Sequence, residues 1–258
     1  MISDEFKEFN PADGFNFHNV IKEAYELYPR IIGTGALTVM LYAMVSGIVN
    51  LMIEQITGFN LLSVAFMEDL QQTKNPELMV EKTIDFYRNN MNVTLLTRFS
   101  TEIIMLLSFP LAGGFMLACR ELEEKGMTNL STVFKAFKSY YWTRLIVLAI
   151  LYFILSKIGL MLFLIPGIYI WAAAVLACPF VMFTDSNGIQ ALQKSVRVVN
   201  KKWLTVFNIL LFSSVIGLSG YLLCGIGRVF TYPFVLTAIY IMYKKLVGFG
   251  AIDGSENQ

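Results

Sequence analysis

Apolar residues gather along this chain in six stretches, at residues 31–53, 101–119, 143–156, 158–183, 203–223 and 229–243. The longer ones match what a hydrocarbon core of about 30 Å requires of a helix. Charged residues stand at their ends: Arg30 and Glu54, Arg120, Lys157, and the pair Lys244 and Lys245. No stretch alternates with the period of two that marks a strand. The fold class is therefore all-α, a polytopic membrane protein of about six transmembrane helices forming one integral membrane domain over residues 1–258.

A layout recurs three times ahead of these stretches. Phe17, Ile21, Ala24, Tyr28 and Ile31 are spaced by four, three, four and three residues, and Leu130, Phe134, Phe137, Tyr141 and Leu145 by four, three, four and four. In the third copy Ile189, Leu192, Val196, Val199 and Trp203 form the apolar stripe, while Lys194, Arg197 and Lys201 take another face. That spacing draws one apolar stripe along a helix, and Asn129 or Ser131, then Ser186 or Asn187, stand where an N-cap is wanted. A helix with an apolar stripe, a cationic face and an aromatic end suits the headgroup layer. The expected architecture is three hairpins, each preceded by an interfacial amphipathic helix. Lys135, Lys138, Arg144, Lys194, Arg197, Lys201 and Lys202 are the expected contacts to lipid headgroups.

Between the first two spans, residues 54–97 are polar enough to leave the membrane and are expected to form a small helical cap. Asn75-Pro76-Glu77 reads as an N-cap followed by proline at the first helical position, and residues 61–70 are a second helix candidate. This cap carries charges of both signs and is the expected site for a membrane-protein partner. Residues 1–30 precede the first span, and residues 246–258 form a polar tail.

Composition strengthens the membrane reading: 56% of residues are hydrophobic, 15% are charged, and the mean hydropathy is +0.59, far too apolar for a soluble domain of this size. With the N-terminus inside, 14 of the 20 Lys and Arg residues fall on the cytoplasmic side, a bias that fits both termini inside a bacterial inner membrane. The N-terminal segment carries Asp4, Glu5, Glu8 and Asp13 and lacks the basic start and short apolar core of a cleaved signal. A net charge of +1 without a basic tract gives no footprint for nucleic acid. Anionic membrane lipids are the expected partners.

Catalytic chemistry has little to work with. His18 is the single histidine, and no nucleophile stands beside it, which leaves no triad, zinc site or metalloprotease motif. Cys119, Cys178 and Cys224 lie in or beside apolar spans without a C-x-x-C spacing, as reduced thiols do. No phosphate-binding glycine loop is present, and no cofactor is expected. Ionisable residues within a membrane are suspects by default. Arg98 and Glu102, four apart, together with Lys157 and Arg228, are either headgroup anchors or the rim of a polar vestibule. Pro110, Pro166, Pro179 and Pro233 are expected helix kinks, because each removes an amide donor.

The run Leu164-Ile165-Pro166-Gly167-Ile168-Tyr169, then Ala177-Cys178-Pro179-Phe180, then Gly188-Ile189-Gln190-Ala191-Leu192-Gln193-Lys194-Ser195 resembles a bacterial family. It is similar to the membrane domain found beside glycerophosphodiester phosphodiesterases and to YciC-like inner-membrane proteins. The resemblance covers residues 153–203 best and implies a helical membrane domain. This sequence departs from the enzyme-bearing members in lacking the soluble catalytic barrel, so no catalytic residue is carried over. The expected function is a non-enzymatic membrane protein that binds lipid or another membrane protein as an accessory or scaffold subunit. The alternative is a transporter or flippase working through the kinked helices.

Overall fold

The computed structural model describes residues 14–249 apart from Phe163 and Cys224. Asp4, Glu5, Glu8, Asp13, Cys224 and residues 250–258 of the tail lie outside the described residues. Every regular element within them is helical: α1 (Phe17–Thr57), α2 (Phe59–Gln72), α3 (Pro76–Asn89), α4 (Met91–Lys125), α5 (Leu130–Phe134), α6 (Ser139–Leu162), α7 (Leu164–Ala173), α8 (Ala177–Phe183), α9 (Gly188–Asn200), α10 (Trp203–Ser219) and α11 (Arg228–Leu246). Short 3₁₀ turns follow α5 at Lys135–Phe137 and α10 at Gly220–Leu223.

Five stretches are long and apolar enough to cross a membrane: Phe17–Thr57, Met91–Lys125, Ser139–Gly159, Pro166–Phe183 and Trp203–Leu222. The sixth expected span becomes α11, which falls outside that group among the described residues because Lys244 and Lys245 close it. Its apolar side chains meet protein instead, with Phe234, Ala238, Tyr240, Ile241, Met242 and Tyr243 buried. The chain divides into two compact units, Met1–Met40 with Ser108–Gln258, and Leu41–Leu107.

In the first unit, the helix expected to end near Lys157 continues to Leu162. One lysine does not stop it: the aliphatic stem tolerates an apolar setting, and the Nζ sits 5.0 Å from the centre of the Phe153 ring. The next stretch, expected as one kinked helix, is two helices separated at residues 174–176. Neither proline lies at that gap. Pro179 takes the third position of α8, where an amide has no intrahelical partner and its absence is harmless. Pro179 thus starts a helix; Pro110 and Pro233 lie inside α4 and α11.

A gap in a helix leaves backbone groups to satisfy, and Ser195 of α9 does so. Its hydroxyl donates to the Ala173 carbonyl at 2.7 Å and accepts the Leu176 amide at 3.1 Å, with the residue wholly buried. Several positions between Ala173 and Ser195 thus have a local structural reason. Asn187 and Gln190 form a reciprocal capping box at the start of α9. Gly188 lets that end touch the α6 backbone, since a Cβ there would lie 2.8 Å from the Leu148 nitrogen. Ala191 is fully buried one turn further on.

The first two amphipathic segments differ in form from separate interfacial helices. The first is the beginning of α1, continuous with the span. The second is broken, α5 passing through a 3₁₀ turn and an extended Lys138 before α6. Small side chains drive the packing there: Val133 and Ala136 are buried while Phe134 is exposed, and a Cβ on Gly114 of α4 would overlap the Val133 carbonyl. The third, α9, is a single helix whose buried face is Gly188, Ala191, Ser195, Val198 and Val199, displaced from the apolar stripe read in the sequence.

In the second unit, α2 and α3 form an antiparallel pair. Phe66 stacks on Phe86 at 4.1 Å and Lys82 reaches Asp69 at 2.8 Å. Asn75 caps α3 by accepting the Glu77 amide at 2.9 Å, as the Asn-Pro-Glu run predicts.

Replacing Ser195 with alanine strands a buried amide and a buried carbonyl, at an expected cost of about 1–3 kcal/mol. Thermal unfolding in detergent will show this as a lowered midpoint. The exposed neighbour Gln193→Ala serves as control, and equal midpoints for the two variants would rule out the clasp.

Candidate lipid-headgroup site

Helix α9 has three distinct faces, which follow from residue spacing at 100° per residue. Its small residues face the bundle. On one flank stand Ile189, Leu192 and Val196, with Ile189 53% exposed. On the other stand Lys194, Arg197 and Lys201; Arg197, Lys201 and the adjacent Lys202 are exposed. No acidic residue occurs from Gly188 to Lys202, so four cations occupy one helix and the turn that follows it.

An aromatic group adjoins this turn. Trp203 lies parallel to Phe207 at 5.2 Å and to Tyr169 at 6.3 Å between ring centres. Tyr169 donates to the Asn200 side chain at 2.9 Å, which ties the end of α9 to α7. The Trp203 indole nitrogen is buried and meets no protein acceptor. Apolar flank, cationic flank and indole together have the composition of a headgroup-depth surface.

The other expected headgroup contacts are engaged differently. Lys135 pairs with Glu121 at 3.5 Å, and Glu121 also accepts from Thr132 and Thr128. The Arg144 guanidinium lies 3.9 Å over the Tyr140 ring and bonds Asp185 at 2.6 Å. Tyr140 donates to the same carboxylate. Those two donors, the phenol first, hold Asp185 below the usual carboxylate range. Lys138 is exposed at the extended residue before α6. Arg98 and Glu102 lie on α4 in the second unit. In the first unit, Lys157 projects from α6, and Arg228, at the start of α11, bonds the Tyr221 hydroxyl and lies over the rings of Tyr221 and Tyr232.

Sequence reading passed over the densest polar cluster. Lys244 bonds Glu23 at 2.7 Å and Glu123 at 2.8 Å, and Lys245 also reaches Glu23. Tyr240 donates to the second Glu123 oxygen at 2.7 Å. Two carboxylates and two ammonium groups join α1, α4 and α11 with no net charge. The available signal was charge arithmetic at the ends of three apolar stretches, where Glu23 and Glu123 match the Lys244-Lys245 doublet. Nearby, Arg120 lies 4.8 Å over Phe249 and 5.7 Å over Phe183. Because each of these four charges has a partner of opposite sign, the cluster is a structural tie. Among the described residues, no group of three His, Cys, Asp or Glu side chains is arranged to hold a metal.

Two measurements follow. Lys244→Gln will lower thermal stability, and Glu123→Gln will cost less in that background than alone, with a coupling of about 0.5–3 kcal/mol; additive losses would break the tie. For Asp185, the depressed acidity means that its link to Arg144 is fully present above the ordinary aspartate range of about 3.9. The link is lost as pH falls through the lower value of the folded state. Carbon NMR of the carboxyl should show its midpoint rising in Arg144→Gln, and an unmoved midpoint would contradict the pairing.

No family model, curated protein or solved structure matches the chain.

Proposed function

We propose that this chain is a non-enzymatic protein of a bacterial inner membrane that binds anionic phospholipid headgroups through α9 and the turn after it. In this reading it serves as an accessory or scaffold subunit, with both termini cytoplasmic. The observation that carries the proposal is the three-way division of α9: small residues against the bundle, apolar residues on one flank, and Lys194, Arg197 and Lys201 on the other. A helix already fixed to the protein presents its cations without first having to fold, which removes an ordering cost from binding.

Two further observations support it. The excess of Lys and Arg on one side of the apolar stretches is the pattern of cytoplasmic loops, where anionic lipids concentrate. The resemblance of residues 153–203 to membrane domains that lie beside phosphodiesterases agrees with a membrane module that lacks the enzyme. Transport is less well supported. Among the described residues, the fully buried polar side chains are hydroxyls: Thr38, Thr132, Ser186, Ser195, Ser213 and Thr237. Several bond backbone carbonyls, as Ser195, Thr38 and Thr237 do, an assignment that serves packing.

Changing Lys194, Arg197, Lys201 and Lys202 together to glutamine should weaken association with phosphatidylglycerol by about 1 kcal/mol per charge removed. Native mass spectrometry of protein released from mixed-lipid nanodiscs reads this as loss of retained anionic lipid. The same number of substitutions at Lys74, Lys82, Arg88 and Lys138 provides the comparison. Equal retention by the two variants would refute the assignment.

A further inference from the structure

The α2–α3 pair leaves one face with no protein partner among the described residues. Val80, Ile84 and Tyr87 recur at intervals of four and three along α3, and Val64 and Met67 at an interval of three along α2. All five are more than half exposed, from 52% at Val64 and Ile84 to 59% at Val80. They lie on the same side of the pair. From the Phe66–Phe86 contact line, the same sense of rotation reaches each set, and in antiparallel helices that places both on one side. Asp69 and Asp85 are reached by the opposite rotation and occupy the other side. The pair is thus amphipathic as a whole, with a dry face of large side chains and an acidic, solvated face.

Its attachment determines what can cover that face. A single residue, Gly58, separates α1 from α2, and a single residue, Asn90, separates α3 from α4. Gly58 adopts the left-handed backbone with φ of 65°, which allows an abrupt change of direction that a residue with a side chain would resist. The helices it joins remain apolar and exposed up to the junction: Met52 and Ile56 on α1, and Met91, Leu95 and Phe99 on α4. From Ile31 to Ile53 the apolar length of α1 is about 34 Å, already beyond the roughly 30 Å of a hydrocarbon core. The junctions therefore lie at headgroup depth, with no tether that would let the pair stand away from the bilayer.

We infer that the α2–α3 pair is an interfacial anchor, its Val64, Met67, Val80, Ile84 and Tyr87 face sunk into the lipid leaflet at that end of the spans. The dry face matches in composition the exposed apolar residues of α1 and α4 beside the junctions, and the tyrosine has the amphipathic ring favoured at headgroup depth. The polar face carries Glu68, Asp69, Glu77, Glu81 and Asp85 against Lys74, Lys82 and Arg88, a net charge of −2 from eight groups. Anionic lipid is therefore not the attraction. The anchor works by apolar burial and requires only a zwitterionic surface, unlike the cationic flank of α9.

A photoreactive benzoylphenylalanine placed at Val80, Ile84 or Met67 tests this in the full chain, reconstituted in vesicles of phosphatidylcholine alone. Illumination followed by intact-protein mass spectrometry should show addition of one phosphatidylcholine at each of the three positions. Yields there should be at least fivefold higher than at Asp85, and unchanged by 0.5 M salt. Three separate positions guard against one variant that fails to fold. Crosslinking to a second copy, seen as a doubled mass, or to a different protein when the same variants are illuminated in native membranes, would overturn the inference. So would equal lipid addition at Asp85.

Discussion

A hydrocarbon solvent offers no water to an idle backbone amide, so any interruption of a membrane helix must be repaired by protein. The gap at residues 174–176 is such an interruption, and the Ser195 hydroxyl repairs it by donating to Ala173 and accepting from Leu176. Much of the first unit is arranged around that repair. Helix α9 must run beside α7 and α8 to deliver the serine, which in turn requires Gly188 against α6, Ala191 at the next turn and a firm N-cap from Asn187. The helix that carries the cations is therefore positioned by the need to complete another helix.

Small residues decide the packing throughout this unit. Gly114 against Val133, Gly35 within 2.5 Å of Pro233 for an added Cβ, and Gly188 against Leu148 all permit helices to approach at backbone distance. In lipid the apolar side chain gains little by leaving one hydrocarbon for another, and close contact between backbones becomes the more selective force. On α9 and α5 the larger Ile189 and Phe134 are left on the outside, while aromatic side chains such as Tyr240 and Phe180 fill the core of the unit.

This explains which parts of the molecule were legible in the sequence. Length and hydropathy identify the spans because the bilayer imposes both, and the Asn75 cap follows from local chemistry that needs no partner. The faces that α5 and α9 turn to the bundle are not legible, because the pattern weighs large apolar residues, whereas the bundle buries Ala191, Ser195 and Ala136. Lys157 looked like a terminus because its charge is visible in the sequence and the ring of Phe153 beneath it is not. Pro179 reads as a kink because a proline shows that an amide is missing, but not whether that amide would have had a partner. The Glu23, Glu123 and Lys244 cluster could be read only by comparing stretches far apart in the chain.

That cluster has a consequence for biogenesis. Glu23 and Lys244 are separated by 221 positions, and ribosomes add about 5–20 residues each second. Glu23 is therefore made roughly 10–45 seconds before the ammonium group that neutralises its carboxylate. Throughout that interval the early helices hold an incomplete seam, open to insertion factors or quality-control proteases. Docking of α11 is the event that ends this exposure, so one late helix decides how long the early ones stand unguarded.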